Sequence, residues 1–296
     1  MSQSKALMLG IIAYLIWGLS PIYFKSIASL PASEIIFHRI IWAAFFCAIF
    51  ILFYKQHQWW RPLFEHPKYL MVLFCTGLML SANWLLYVWA INNHYMLEAS
   101  LGYYINPLFS VSLGTIVLKE RMRTMQWFAV VLALIGVIIQ IILIGELPWI
   151  SLLLALSFAS YGIIRKIVPI NVLPGMVVET WILVPVALLW LLFNPASMTL
   201  TEVFWSSHLM WLCILAGPLT LVPLILFNLA AKNLPYSTIG FLQYMSPTLV
   251  FLLAIFYFHE NFSLEKLATF GFIWLALCVF SLDTYLTRRG GKFIRR

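Results

Sequence analysis

The chain is 296 residues long, 63% hydrophobic and only 9% Asp, Glu, Lys and Arg, where a soluble domain is about 45–50% apolar and about 25% charged. So few charges cannot cover a water-facing surface, which excludes a soluble globular fold and a disordered chain, and a net charge of +8 on such a background is not a nucleic-acid footprint. The bilayer is the remaining solvent.

About 20 apolar residues cross a hydrocarbon core of about 30 Å. In chain order such stretches run near 5–27, 34–54, 70–91, 97–118, 125–144, 149–165, 174–193, 209–229, 236–258 and 265–286. Each is predicted to be helical, because backbone in lipid must satisfy its own hydrogen bonds. The first follows Lys5 and lacks an A-x-A cleavage pattern, so it is expected to be retained. Basic residues stay on the cytoplasmic side. With ten spans and both termini inside, fifteen of the eighteen Lys and Arg lie in cytoplasmic segments, and only Lys25, Arg39 and Lys266 fall elsewhere. The last nine positions hold five of them, a basic cytoplasmic tail over 288–296 suited to anionic headgroups. The four cysteines sit apart inside predicted spans without a CxxC, and the histidines form no i,i+4 pair, so neither a metal site nor a cofactor is expected.

Sliding the chain by 140 residues pairs Gly77 with Gly217, Ala90 with Ala230, Asn93 with Asn233, Tyr104 with Tyr244, Pro107 with Pro247 and Glu120 with Glu260. Near the start of each half the shift becomes 141, where Lys25 meets Lys166. Two five-helix repeats are therefore predicted, over 1–145 and 146–287. Five is odd, so the second copy crosses the membrane in the opposite sense. Inverted repeats with a site between them are the architecture of many secondary transporters. The expected fold class is an all-α integral membrane protein of ten transmembrane helices in two inverted repeats.

Three stretches also resemble a known family: NWLLYVWAINNHYMLEASLGYYINPL (83–108), KERMRTMQWFAVVLALIGV (119–137) and GFLQYMSPTLVFLLAIFYFHE (240–260). They are similar to the EamA type of the drug/metabolite transporter superfamily, and within it to the RarD-like branch. His259 departs from the pattern, in which many repeats carry Gly before the Glu. The resemblance implies ten helices, a bacterial cytoplasmic membrane and export or exchange of small organic solutes or metabolites. The branch's link to chloramphenicol sensitivity points to an amphipathic or aromatic solute.

Ionisable groups inside hydrocarbon cost about 2.5–3.5 kcal/mol each on insertion scales and usually face a cavity. Here they are His38 and Arg39 in the second span and Glu179 in the seventh. Arg39 lies about five residues, roughly 7.5 Å, inside the outer end of its span, and Glu179 as far from the inner end of its own. A direct pair between them is not expected. An outer gating cluster of Lys25, Arg39 and Glu98 and an inner one of Glu179 with Lys166 or Arg165 are predicted instead. Glu179 is also a candidate carrier of a coupling proton. The alternative for Arg39 is snorkelling to the headgroups.

The cavity is expected among the third, fourth, eighth and ninth spans, with the first and sixth. Its candidate substrate-binding residues are Trp17, Asn83, Tyr103, Tyr104, Asn106, Tyr161, Asn228, Gln243 and Tyr244. The competing reading of each is interhelical glue, worth about 0.6 kcal/mol. Pro107 and Pro247 are expected to interrupt their spans, and Ser110 and Gly114 to make a small-residue packing contact. No Walker A sequence and no clustered nucleophile and base are present. The sequence thus reads as a monomeric secondary transporter of a small molecule, with a channel or a non-transporting assembly factor as the alternatives.

Overall fold

The computed structural model describes residues 1–53, 58–93, 95–145, 148–257, 259 and 264–293; within these, only the backbone is described at 88, 91–92, 96–100, 144, 264–266 and 288–293. The elements are α1 (Gln3–Ser26), α2 (Ala32–Leu52), α3 (Arg61–Glu65), α4 (Pro67–Asn92), α5 (Met96–Ile116), α6 (Thr124–Ile144), α7 (Trp149–Ile167), α8 (Val172–Leu192), α9 (Glu202–Ser206), α10 (His208–Asn233), α11 (Tyr236–Gln243), α12 (Met245–Phe256) and α13 (Leu264–Phe293). A 3-10 turn, Met198–Leu200, precedes α9. Among the described residues, nine segments are long and apolar enough to cross a membrane, α11 and α12 counting as one. The chain is a multi-pass membrane protein. Helix α5 is as long as its neighbours but is not among the nine; it carries Tyr103, Tyr104, Asn106, Ser110, Ser112 and Thr115.

The ninth predicted span divides at Tyr244, between α11 and α12. Pro247 explains the break. A proline ring clashes with the carbonyl four residues back, here that of Gln243, the last residue of α11. Pro107 behaves differently: α5 runs through it unbroken, against the expectation of an interruption. The Pro107 carbonyl instead faces α11, where a Cβ on Gly240 would lie 2.8 Å from it.

Helix packing follows small residues, as it must where lipid offers no hydrophobic drive between helices. Ala129, Ala133 and Gly136 line one face of α6 against Ile273, Ala276 and Phe280 of α13. The opposite face of α6, with Trp127, Phe128, Val131 and Ile138, is exposed. Gly217 of α10 sits against the backbone of Trp42 in α2, and Gly77 of α4 against the backbone of Glu179 in α8. Ser110 and Gly114 of α5 both face α11, as expected from their spacing.

Helix α1 packs on α10 and α12, and α7 on α4 and α5; α2 packs on α10, and α8 on α4. Three further pairs, α2 with α8, α5 with α11 and α6 with α13, join the two halves of the chain. Charged side chains tie down the connections. Arg123 at the start of α6 grips Asp283 of α13 through Nε at 2.8 Å from Oδ2 and through Nη2. Glu120 accepts hydrogen bonds from the backbone N–H groups of Tyr236 and Ser237 at 2.5 and 2.9 Å and from the Ser237 hydroxyl at 2.8 Å, capping α11 from across the molecule. Glu34 does the same for the 3-10 turn, accepting from Met198 N at 2.7 Å and Thr199 Oγ1 at 2.9 Å.

Two non-glycine residues take positive φ among the described residues, Lys119 at 54° and His259 at 53°. Each precedes a glutamate in the sequence, and they are 140 residues apart. His259 therefore keeps the left-handed turn that the family pattern fills with glycine; histidine is among the residues that tolerate it best.

Candidate functional site

The site is built around Glu179, about two turns into α8 and almost fully buried. Its Oε1 accepts a hydrogen bond from the Thr76 hydroxyl of α4 at 2.6 Å and lies 3.3 Å from Nε of Arg165 in α7. Its Oε2 is 3.5 Å from the Tyr161 hydroxyl, which donates to it and accepts from Asn228 Nδ2 of α10 at 3.0 Å. One carboxylate thus holds α4, α7 and, through Tyr161, α10. Arg165 has no solvent exposure at all; its Nη2 donates to the Val172 carbonyl at 3.1 Å, while Nε and Nη1 make no hydrogen bond, so its link to Glu179 is an ion pair alone. Removing one member of such a buried ion pair costs about 3–5 kcal/mol.

Glu179 also lines an internal cavity of about 10 Å³, with Ala43, Leu80, Trp84, Met176, Thr180, Leu183, Thr220, Leu221 and Leu224. That volume admits about one water. On its far side Arg39 donates from Nε to the Thr220 hydroxyl at 3.0 Å, and its guanidinium lies 4.7 Å from the Trp84 ring. Arg39 does not itself line the cavity; it touches two residues that do, Thr220 and Trp84, and makes no ion pair with Glu179 among the described residues.

The other predicted residues are dispersed. Trp17 joins an aromatic cluster with Tyr14, Phe158 and Phe227, ring centroids 5.4–5.9 Å away. Asn83 donates to the Leu154 carbonyl at 2.9 Å and to Ser157 Oγ at 2.8 Å, fastening α4 to α7. Tyr103 and Tyr104 point apart, the first half-exposed beside Tyr87, the second packed on Phe270 of α13. Gln243 reaches Ser110 at 3.4 Å. Asn106 Oδ1, Gln243 Nε2 and the hydroxyls of Tyr14 and Tyr244 are buried without partners.

The gating residues are also redistributed. Lys166 does not pair with Glu179; its Nζ donates to the carbonyls of Ala231 and Leu234, 2.6 and 2.5 Å away, at the end of α10. Lys232 returns the contact, donating to the Val168 carbonyl at 3.0 Å and to that of Ile170. Arg165 takes the acid because its side chain projects along the α8 face while that of Lys166 projects towards α10. His38 meets the Thr199 hydroxyl at 3.0 Å and stacks on Phe204, so it braces the connection before α10. Lys25 closes α1. The side chain of Glu98, the expected partner of Arg39, lies outside the described residues, as does Glu260. Sequence reasoning missed Thr76, Trp84, Thr180 and Thr220, and Glu34, whose place four residues before His38 on one helix face was the available signal.

A buried ion pair beside a small, mostly apolar cavity defines a membrane protein with a charged site inside its bundle. The model of the EamA-like transporter family matches residues 4–142. The chain is 53% identical over 286 residues to an uncharacterized transporter of Pseudomonas aeruginosa, covering 96% of each. It is 45% identical over 285 residues to Protein RarD of Escherichia coli, again covering 96% of each. A second Pseudomonas aeruginosa relative, the chloramphenicol-sensitive protein RarD, is 29% identical over 95% of each chain. The chain belongs to the EamA-like transporter family and is a membrane transporter. A solved crystal structure shares the fold, with a TM-score of 0.71 at 20% identity over 95% of this chain and 98% of that one.

Proposed function

We propose that the protein is a secondary transporter that exports or exchanges a small organic solute across the bacterial cytoplasmic membrane by alternating access. The observation that carries this reading is the Arg165–Glu179 pair at the wall of the internal cavity, since charges kept at such cost inside a bundle mark a transport path. The two halves act as inverted repeats, 1–145 and 146–287, in ten spans with both termini cytoplasmic. The packing supports that: exchanging α1 with α7, α2 with α8, α4 with α10, α5 with α11–α12 and α6 with α13 turns each of the helix pairs described above into another of them or into itself, while the α7–α10 and α5–α6 contacts have no equally close backbone counterpart among the described residues. The left-handed turns at Lys119 and His259 support it as well.

In this reading Arg165 and Glu179 close the cytoplasmic route, with Lys166 and Lys232 clasping the ends of α10 and α7 behind them. Arg39 stands on the outer side of the cavity. The solute is bound between, against Trp84, Thr180 and Thr220, with Tyr161 and Asn228 within reach once the cavity widens. A coupling proton would reside on Glu179, where it would remove the charge that Arg165 holds.

The test is solute uptake by purified protein in liposomes, with and without a pH gradient. Chloramphenicol, aromatic metabolites and amino acids are the solutes to try. Saturable uptake that falls at least about tenfold in Glu179→Gln is expected, by the cost of an orphaned buried arginine. Undiminished uptake in Glu179→Gln removes the acid from the mechanism, and uptake that fails to saturate favours a channel. A gradient-dependent rate in the parent chain that becomes gradient-independent in the variant assigns the proton to Glu179.

A further inference from the structure

The guanidinium of Arg165 occupies the space in which residue 175 would carry its side chain. Gly175 lies in the first turn of α8, four residues before Glu179 and so on the same helix face. A Cβ built on it would overlap Nη1 of Arg165 and would stand 2.6 Å from Nη2 and 2.7 Å from Cζ. The group it meets cannot swing aside freely. It is planar and fully buried, hydrogen-bonded by Nη2 to the Val172 carbonyl and held to Glu179 by charge across 3.3 Å. A shift that clears a methyl group moves the guanidinium inside a closed space and away from the Val172 carbonyl or from Glu179. Gly77, on the opposite side of the acid, is less demanding, since a Cβ there would lie 3.2 Å from the Glu179 carbonyl oxygen.

We infer that Gly175 is a positioning residue for the inner gate: by having no side chain it admits the Arg165 guanidinium to Glu179, and any larger residue holds the gate open. The inference rests on the reading of the Arg165–Glu179 pair as that gate. Lysine at 165 makes it separable from ordinary packing damage. A lysine keeps the charge but has no Cζ, Nη1 or Nη2, the atoms with which a methyl group at 175 collides. The defect of Gly175→Ala should therefore be cured by Arg165→Lys, a change at a different helix.

Cys47 supplies a readout that needs no known solute. Its thiol is buried in α2 beside Thr180 and Glu179, one turn from the cavity-lining Ala43. With Cys75, Cys213 and Cys278 replaced by alanine, everted membrane vesicles are treated with a membrane-impermeant maleimide, which reaches Cys47 only through an open cytoplasmic route. Labelling is expected to rise about tenfold in Gly175→Ala, as for the loss of a buried ion pair, and to return to the parent rate in Gly175→Ala/Arg165→Lys. If Gly175→Ala fails to accumulate in the membrane, recovery of folded protein in the double variant supports the inference, and its failure to recover overturns it. A rise that Arg165→Lys does not reverse overturns it too. Unchanged labelling in Gly175→Ala with increased labelling in Arg165→Ala overturns the glycine's role and leaves the gate standing. Unchanged labelling in both removes the gate, and the inference with it.

Discussion

Single residues settle how the connections are held. Lys119 carries the strain of a left-handed conformation that costs a side chain with a Cβ about 1–2 kcal/mol. Glycine would remove the strain and give back about 0.4–1 kcal/mol in unfolded-state entropy. Lys119→Gly is thus expected to leave the melting temperature in detergent equal to the parent's or higher, whereas Lys119→Val lowers it. Equal losses in both would mean that the lysine head group, not the turn, matters there. Glu120 has a different kind of importance, since its carboxylate replaces the missing partners of the first N–H groups of α11. Glu120→Ala should cost about 1–2 kcal/mol, the loss of a helix cap, measured as a shift in thermal unfolding. The residues legible in advance were the ionisable ones, Arg39 and Glu179, because their cost in lipid makes them conspicuous. Thr76, Thr180 and Thr220 carry no such signal. A threonine in an apolar helix can bond back to its own carbonyls, as Thr180 does to Met176, and so is equally at home facing lipid.

The helices themselves were readable from apolar length: each predicted span overlaps a helical segment among the described residues, and nine segments there are long and apolar enough to cross a membrane. What the sequence does not encode visibly is which face of each helix turns inward. In water the polar face is the outer one; in a bilayer both lipid and core accept leucine, and the two faces look alike. That is why Tyr103 and Tyr104, adjacent in α5, were grouped in one cavity although they point apart. It is also why the division of the ninth span and the short helices α3 and α9 were not foreseen. Close approach, by contrast, leaves a trace in glycine. At Gly217 an added Cβ would lie 2.6 Å from the carbonyl carbon of Trp42, and backbone cannot yield as a side chain can. Gly217→Ala is expected to destabilise by about 1–3 kcal/mol through overpacking, and Gly77→Ala, with 3.2 Å available, by less. The reverse order in thermal stability would show that the α2–α10 contact relaxes more easily than the α4–α8 one.

At the scale of the whole molecule, the distribution of basic residues predicts the orientation. Reporter fusions after residue 296 and in the 118–123 connection should both read cytoplasmic, and one in the 93–95 connection periplasmic; the opposite pattern would place Arg165 and Glu179 at the outer mouth and reverse the direction in which the gate acts. The family was within reach of the sequence through three stretches, 83–108, 119–137 and 240–260. The partner of the central acid was not, because two adjacent basic residues compete for it and only packing decides between them.

The cavity beside Glu179 has a thermodynamic consequence. A pocket for a small organic molecule measures about 300–1,000 Å³, and this one holds about one water. On the proposed function, a solute would bind a rarer arrangement of the helices than this closed one, and its observed affinity would be discounted by the rarity of that arrangement. If the open form makes up about 1% of the molecules, an intrinsically micromolar site is measured as about a hundredfold weaker. Weak apparent binding would then be the signature of a well-closed resting state. By the same arithmetic, a variant that loosens the Arg165–Glu179 pair could bind its solute more tightly than the parent while moving it less well.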